Sequence, residues 1–258
     1  MDQAERRQFL IGELIKENPA RSGIIIPERE PEQKILLRAL LNIRMPGKAA
    51  EDFLRIQDEY LREETATRGI TDAEKLQYNE EGICVWKGDI TTLRCGAIVN
   101  AANSGMTGCY VPNHCCIDNC IHTYAGVQLR EKCAEIMRAQ GNEEPAGQAK
   151  ITSGYNLPCG HIIHTVGPIV SGRNPLDGER GLLASCYRSC LELAAANNIA
   201  SIAFCCISTG IFGYPNEAAA ETAVGTVREF LQKDTSVRKV IFNVFKDIDE
   251  RIYRELIS

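Results

Sequence analysis

From about residue 82 onward, short runs rich in β-branched residues alternate with longer stretches of helical periodicity. This alternation constrains the fold more than any other feature, because it predicts a mostly parallel sheet covered by helices on both faces. The predicted strands are Ile83–Lys87, Ala97–Val99, Gln148–Ser153, Ile162–Val166, Ser201–Cys206 and Val240–Val244. The predicted helices are Asn119–Arg138, Glu179–Asn197, Glu217–Gln232 and Ile248–Leu256.

The first part of the chain has a different pattern. Apolar residues recur there at helical spacing, as in Phe9, Leu10 and Leu14, and Pro31 suits the first turn of a second helix. We therefore predict an N-terminal helical extension over residues 1–80 and a main domain over residues 81–258. The extension is interpreted as a small subdomain docked on the main domain, with a lid or a partner-docking surface as the alternative.

Composition excludes several classes of protein. The chain has 258 residues, of which 44% are hydrophobic and 24% charged, and its net charge is −5. An acidic balance without a basic stripe argues against nucleic-acid binding. No apolar run approaches the roughly 18 residues of a membrane helix, and the amphipathic start does not look like a signal peptide. We expect a cytoplasmic protein whose twelve cysteines are free thiols or metal ligands rather than a disulfide framework.

Three polar turns follow predicted strands. They are Gly88–Thr91, Asn100–Asn103 and the glycine-containing turn Ile207–Pro215. In parallel sheets, ligands bind beyond the carboxyl ends of the strands, so these turns are the candidate binding site. Backbone N–H groups in glycine turns can hold an anion such as a phosphate.

Four motifs in this order resemble the macrodomain family of ADP-ribose-binding modules, over roughly residues 83–258. They are Gly88-Asp89-Ile90-Thr91, Asn100-Ala101-Ala102-Asn103, Ile163-His164-Thr165-Val166-Gly167-Pro168 and Ser208-Thr209-Gly210-Ile211-Phe212-Gly213-Tyr214-Pro215. The resemblance implies a three-layer α/β/α fold with a mixed, mostly parallel sheet. It also implies an ADP-ribose cleft across the carboxyl ends of the strands.

The resemblance also assigns roles to residues. Asp89 is expected to bind the adenine amino group, helped by the backbone of Ile90, and Asn103 to contact the distal ribose. Phe245 is expected either to stack on adenine or to belong to the core. The turn around the diphosphate comprises Ser208, Thr209, Gly210, Ile211, Phe212, Gly213 and Tyr214, with Tyr214 closing over the distal phosphate or ribose.

The loop after Asn103 departs from the ordinary family pattern, because it packs five candidate metal ligands into twelve residues: Cys109, His114, Cys115, Cys116 and Cys120. In an extended segment His114 and Cys116 point to the same side, and Cys109 can return across the turn at Pro112. We predict a zinc ion held by Cys109, His114 and Cys116, which leaves one tetrahedral position open, as in a catalytic site. Cys120 as a closing fourth ligand is the alternative, and a part for Cys115 stays open.

This pattern resembles a zinc-dependent branch of macrodomains that hydrolyses mono-ADP-ribosylated proteins. The resemblance implies Asp118 and Asn103 as catalytic residues beside the distal ribose, with Asp118 orienting or deprotonating the nucleophile. It further implies links to a sirtuin-type ADP-ribosyltransferase and to a lipoyl-carrier protein of the glycine-cleavage type. The alternatives are a non-catalytic reader of ADP-ribosylated proteins and a hydrolase of a soluble derivative such as O-acetyl-ADP-ribose. His164 is expected to be a hydrogen-bonded core residue.

Overall fold

The main sheet has six strands, and all but one of its neighbouring pairs are parallel. The computed structural model describes residues 1–171, 174–233 and 235–258. The strands of this sheet are β2 (Ile83–Lys87), β4 (Ala97–Ala101), β5 (Ala149–Ser153), β6 (His161–Thr165), β7 (Ser201–Phe204) and β8 (Lys239–Val244), in the order β2-β8-β7-β4-β6-β5. Only β5 runs antiparallel to its neighbour, β6. Two short strands, β1 (Thr71–Asp72) and β3 (Leu93–Arg94), pair separately in parallel.

Helices cover both faces of the main sheet. The α-helices of the described residues are α1 (Gln3–Lys16), α2 (Glu30–Ile43), α3 (Glu51–Arg68), α4 (Ile117–Ala125), α5 (Val127–Gln140), α6 (Asp177–Ala196), α7 (Asn216–Leu231) and α8 (Asp247–Ile257). Helices α6, α7 and α8 pack side by side on one face, and α4 and α5 cover the other. The expected three-layer α/β/α fold with a mixed, mostly parallel sheet is confirmed.

The central strands consist largely of apolar residues because both of their faces are covered. In β4, for example, Ala97, Ile98 and Val99 are all fully buried. Burying a side chain such as Ile98 contributes about 1.5–3 kcal/mol, so these strands carry much of the driving force for folding. Among the described residues, no helix has both the length and the apolar character needed to cross a membrane.

The three N-terminal helices form a small core of their own. Leu10, Leu37, Phe53 and Tyr60 are buried in it, and Val127 at the start of α5 is the one buried member from beyond the first 80 residues. The predicted helical extension is therefore present. Strand β1 lies within the first 80 residues but pairs with β3 of the main domain. The division at residue 80 stays a prediction.

The single helix predicted over Asn119–Arg138 is wrong, because the chain forms two helices that are separated at Gly126. This glycine has a φ of 99°, in the left-handed region that side chains disfavour. A Cβ at this position would also lie 2.7 Å from Gln57 Nε2, on α3. Gln57 Oε1 in turn accepts a hydrogen bond from the backbone N–H of Val127, which begins α5. The helix break is therefore stabilised by a residue of the N-terminal extension.

His164 is a core residue, as expected, and no part of it is exposed. Asn100 Nδ2 lies 3.1 Å from His164 Nδ1, and Thr152 Oγ1 lies 2.9 Å from its Nε2. Burial lowers the pKa of His164 to about 3. The imidazole is therefore held neutral inside the sheet layer, where a charge would be costly.

We expect His164 to make the protein sensitive to acid. In the unfolded chain its pKa is about 6.5, so the unfolded state binds a proton that the native state excludes. This part of the stability is complete above pH 6.5 and is lost as the pH falls towards 3, by up to about 1.4 kcal/mol per pH unit. Urea unfolding between pH 7 and 4 should show a shallower decline for His164→Gln than for the wild type. His161→Gln removes a histidine from the same strand but keeps His164, and should retain the wild-type slope; parallel curves for all three proteins would contradict the assignment.

Candidate active site at the carboxyl edge of the sheet

The parallel strands bring the predicted turns to one edge of the sheet. Asp89 follows β2, Phe245 follows β8, the turn at residues 207–215 follows β7, and the Asn100–Asn103 motif ends β4. Because β2, β8, β7 and β4 run in the same direction, their carboxyl ends lie along the same edge. The candidate binding residues are therefore collected there, as the sequence predicted.

The loop between β4 and α4 brings three metal-ligating side chains together. One donor atom each from Cys109, His114 and Cys116 lie within 4.8 Å of one another, and Cys109 Sγ is 3.5 Å from His114 Nδ1. Bond lengths of about 2.3 Å to sulfur and about 2.0 Å to nitrogen place neighbouring donors of a tetrahedral zinc ion about 3.5 Å apart. The residues therefore fit a zinc ion in both chemistry and spacing.

Cys116 occupies the N-cap of α4, where its Sγ accepts a hydrogen bond from Asn119 N at 3.4 Å. The partial positive charge at a helix N-terminus favours a thiolate. Burial, together with the nearby Cys109 and Asp118, nevertheless raises the pKa of Cys116 to about 12. A divalent cation would reverse this balance, since a coordinating thiol is deprotonated.

The other two cysteines of this loop lie outside the three-donor group. Cys115 is exposed, and Cys120 lies within α4 with its Sγ 3.4 Å from Arg38 Nη2. Within the described part of the chain, neither joins Cys109, His114 and Cys116. Three protein donors leave one tetrahedral position for a water or a substrate.

Asp118 and Asn103, the two predicted catalytic residues, are in direct contact. Asn103 Nδ2 donates to Asp118 Oδ2 at 3.2 Å, and Asn100 Nδ2 donates to Asp118 Oδ1 at 2.8 Å. The carboxylate is only 5% exposed, and desolvation raises its pKa to about 6, although hydrogen bonds from Asn100 and Asn103 and the charge of Arg130 act in the opposite direction. Asp118 is therefore a carboxylate poised to exchange a proton near neutral pH.

Two further neighbours of Asp118 were missed from the sequence. Asn100 was recognised as part of a motif but given no role, although its amide makes the shorter of the two hydrogen bonds to the carboxylate. His122 lies one helical turn beyond Asp118, with its Nε2 3.6 Å from Asp118 Oδ1. Spacing of four residues on a helix was the available signal for this second contact.

The predicted adenine end contains a residue that nothing in the local sequence indicated. Asp89 Oδ1 accepts hydrogen bonds from the backbone N–H and the hydroxyl group of Thr91, and Ile90 is buried beside it. Arg68, at the end of α3, donates to Asp89 Oδ2 at 2.6 Å. Its guanidinium group also lies 3.7 Å from the centre of the Tyr124 ring. The N-terminal extension therefore reaches this end of the site.

The predicted diphosphate turn is compact and has left-handed backbone at two places. Ser208 has a φ of 65° and Gly213 a φ of 66°, and Tyr214 N donates to Ser208 O at 3.0 Å. The side chain of Ile211 is 79% exposed. The hydroxyl oxygens of Ser208 and Tyr214 are buried and have no hydrogen-bond partner within the described residues. Unpaired buried hydroxyl groups are costly, so they are candidates for contact with a ligand.

Two aromatic residues of the predicted site differ in exposure. Phe245 is 78% exposed, which excludes the core alternative and leaves its ring free to stack. Tyr214 is only 1% exposed and packs in the main core, rather than lying open over the cleft. Its predicted contact with the distal phosphate or ribose, and the stacking of Phe245, stay predictions.

The fold and the site define a class of protein: a three-layer α/β/α domain with polar turns gathered along the carboxyl edge of a mostly parallel sheet. The family profile of the Macro domain matches residues 99–223. The Oceanobacillus iheyensis macrodomain with ADP has a TM-score of 0.62 and 38% identity, over 70% of this chain and 93% of that one. The Trypanosoma brucei macrodomain in complex with ADP-ribose has a TM-score of 0.67 and 27% identity, over 90% of this chain and 97% of that one.

Curated relatives extend the similarity across the whole chain. A protein-ADP-ribose hydrolase of Treponema medium is 56% identical over 262 residues, covering 100% of both chains. A protein-ADP-ribose hydrolase of Staphylococcus aureus (strain MSSA476) is 45% identical over 251 residues, covering 97% of this chain and 94% of that one. A probable bifunctional ADP-ribose hydrolase/ADP-ribosyltransferase of Fusarium oxysporum f. sp. cubense is 41% identical over 86% of this chain and 40% of its own length. The protein belongs to the macrodomain family.

The loop that carries Cys109, His114 and Cys116 depends on a second left-handed glycine. Gly108 has a φ of 86°, and a Cβ there would lie 2.7 Å from the His122 ring. Gly141 has a similar φ of 79° but open space around it. We expect Gly141→Ala to lower the free energy of unfolding by about 1–2 kcal/mol, the cost of left-handed backbone. Gly108→Ala should cost about 1–3 kcal/mol more, because of the overlap with His122. Denaturant unfolding of both variants checks this, and equal losses would show that the loop yields to His122 without strain.

Proposed function

We propose that this protein is a hydrolase that removes mono-ADP-ribose from modified proteins and releases free ADP-ribose. The observation that carries the proposal is the placement of buried Asp118, held by Asn100 and Asn103, within two residues of Cys116 in a Cys-His-Cys donor group. A module that only binds ADP-ribose does not require a buried carboxylate that is held by two amides beside a group of metal-ligating side chains. The names of the Treponema medium and Staphylococcus aureus relatives support the same activity.

We further propose zinc as the cofactor, with Cys109, His114 and Cys116 as its ligands. When bound, zinc would supply a Lewis acid at the open position and lower the pKa of a coordinated water. The chain's own contribution is a fixed geometry, because the loop keeps the three half-buried donors within 4.8 Å of one another.

Asp118 and Asn103 would act on the distal ribose. At neutral pH a carboxyl group with a pKa of about 6 is largely ionised, and it can take a proton from an attacking nucleophile and return it to the leaving group. Asn103 fixes the orientation of this carboxylate by donating to its Oδ2. The Asn103 Oδ1 atom accepts from Gly105 N, which in turn fixes the asparagine side chain.

The rest of the groove would bind the nucleotide. Asp89 can accept a hydrogen bond from the adenine amino group, and exposed Phe245 can stack on the base. Ile90 would help to seat the adenine through its backbone. The turn from Ser208 to Tyr214, which also contains Thr209, Gly210, Ile211, Phe212 and Gly213, would surround the diphosphate with backbone N–H groups.

The proposed setting is the cytoplasm, since all twelve cysteines are free and free thiols are typical of reducing compartments. The natural substrate would be a mono-ADP-ribosylated protein, for which a lipoyl-carrier protein of the glycine-cleavage type is one candidate. A functional link to a sirtuin-type ADP-ribosyltransferase is consistent with the name of the Fusarium oxysporum relative, which joins the two activities in one chain. The competing functions are a non-catalytic reader and a hydrolase of O-acetyl-ADP-ribose.

Removal of the metal should abolish release of ADP-ribose. Treating the protein with a chelator, or making the Cys116→Ala variant, removes the proposed cation or one of its ligands, and hydrolysis of a mono-ADP-ribosylated protein should fall by at least about 100-fold. Cys115→Ala alters the neighbouring exposed cysteine and serves as the matched control, with full activity and full zinc content by elemental analysis. Release that survives complete metal removal would exclude zinc from the mechanism. Binding of ADP-ribosylated protein without release of ADP-ribose from any linkage would favour the non-catalytic reader. Faster turnover of O-acetyl-ADP-ribose than of the modified protein would favour the hydrolase of a soluble substrate.

The activity should also depend on the ionisation of Asp118. Desolvation raises the pKa of Asp118 to about 6 in the metal-free protein, and a zinc ion beside it would lower this pKa, so kcat/KM should rise with pH along an acidic limb at or below this value as the carboxylate forms. Asp118→Asn should lose about 100- to 10,000-fold in kcat and lose this acidic limb, because the amide cannot accept a proton. Calorimetry should show that the variant still binds ADP-ribose. An acidic limb near pH 6 that persists in Asp118→Asn would assign the titration to another group.

A further inference from the structure

Helix α2 of the N-terminal extension directly contacts the loop between β4 and α4 that carries the proposed metal ligands, which we call the metal loop. Asn42, near the end of this helix, is 1% exposed and more than 70 residues away from the loop in sequence. Its Oδ1 accepts a hydrogen bond from Asn113 N at 2.9 Å, and its Nδ2 donates to Thr123 Oγ1 at 2.8 Å. One carboxamide therefore ties the residue before His114 to the helix that follows Cys116.

The Asn42 contact falls where the loop has left-handed backbone. Asn113 has a φ of 56°, a conformation that asparagine adopts more readily than most residues and that the surroundings must hold in place. The hydrogen bond from Asn113 N to Asn42 is such a constraint. Because Asn113 directly precedes His114, its conformation helps to set the direction in which the His114 side chain leaves the backbone.

Arg38 holds the next residue of the loop. Its Nη2 donates to the backbone carbonyl of His114 at 2.9 Å and lies 3.2 Å from Asn119 Oδ1. Asn119 then donates to Cys109 O at 3.3 Å and to Val111 O at 3.0 Å. The chain of hydrogen bonds therefore runs from α2 through both sides of the loop and reaches the backbone of two proposed ligands, His114 and Cys109.

Helix α2 is itself firmly fixed, which a positioning element requires. Arg130 of α5 is buried, and its Nη1 lies within hydrogen-bonding distance of three backbone carbonyls at the end of α2: Leu41 O at 3.2 Å, Asn42 O at 2.7 Å and Arg44 O at 2.6 Å. These contacts satisfy carbonyl groups that a helix end otherwise leaves without partners. The end of α2 is thereby anchored to the main domain beside the loop.

We propose that Arg38 and Asn42 are positioning residues for the metal, so that the N-terminal extension is a part of the site rather than an appended subdomain. The inference rests on the metal site of the proposed function. Neither residue is a ligand, and each acts through the backbone of the loop. Hydrogen-bond partners that orient metal ligands typically contribute about 10- to 100-fold to metal affinity.

The experiment is a titration of the metal-free full chain with Co²⁺, whose visible absorption reports both affinity and ligand geometry. Arg38→Ala and Asn42→Ala should bind Co²⁺ about 10- to 100-fold more weakly than the wild type. Arg38→Lys should recover part of the loss, since an ammonium group can still donate to His114 O but lacks the planar, pre-organised geometry of the guanidinium group. The matched control is Lys34→Ala, one turn earlier on α2, where the lysine pairs only with Glu30 and Glu64 among the described residues. It should bind Co²⁺ as the wild type does.

Binding of ADP-ribose and the melting temperature in excess chelator separate positioning from folding. If Arg38 and Asn42 position the metal, both variants lose Co²⁺ affinity and keep ADP-ribose affinity, and any fall in the metal-free melting temperature from the lost buried hydrogen bonds leaves ADP-ribose binding unchanged. Wild-type Co²⁺ affinity in both variants would overturn the inference and leave the proposed hydrolase intact. Parallel loss of Co²⁺ binding, ADP-ribose binding and metal-free stability would also overturn it, by showing a general structural role. A wild-type chain that binds no Co²⁺ would overturn both this inference and the metal site of the proposed function.

Discussion

The site depends on one buried carboxylate. Asp118 is removed from water at the start of α4, where an unpaired charge would be costly, and two asparagine amides from the end of β4 compensate it. These hydrogen bonds join the asparagine motif at the end of β4 to the first turn of α4. The loop between them is thereby closed at both ends, and its three donor residues are confined to a small volume. The hydrogen bonds that stabilise the buried Asp118 carboxylate therefore also position the residues of the candidate site.

The N-terminal extension is joined to the main domain through many polar side chains, several of which bond to backbone groups. Gln57 accepts a hydrogen bond from the backbone N–H of Val127 at the helix break, and Asn42 accepts one from the backbone N–H of Asn113. Arg130 donates hydrogen bonds to backbone carbonyls at the end of α2. Arg68 instead pairs with the Asp89 carboxylate at the opposite end of the groove. Because these groups are satisfied only when the helices are docked, an extension that came away would leave several buried polar groups without partners.

The sequence predicted the sheet and the polar turns at its carboxyl edge well, because each depends on local pattern. Strands buried on both faces read as apolar runs, and the four motifs follow them in the chain. What the sequence could not predict depends on contacts between distant residues. Gln57 fixes the helix break at Gly126, and Arg68 holds Asp89. Arg38 and Asn42 hold the proposed metal loop. All four residues lie in helices whose sequences showed only ordinary amphipathic spacing. Asn100 and His122 are intermediate between predictable and unpredictable residues. A motif indicated Asn100 and helical spacing indicated His122, but neither pattern predicted the contact with the buried carboxylate.

The left-handed glycine between α4 and α5 has a consequence for the direction of the electric field. A single continuous helix would have one axis, set by the packing of its long second half against the sheet. The interruption allows the nine-residue α4 to take a direction different from that of α5. Its amino-terminal partial charge, roughly half an elementary charge, lies at the Cys116 sulfur, which caps the helix. A backbone conformation ten residues away from the thiol thus permits the short helix whose first turn surrounds it.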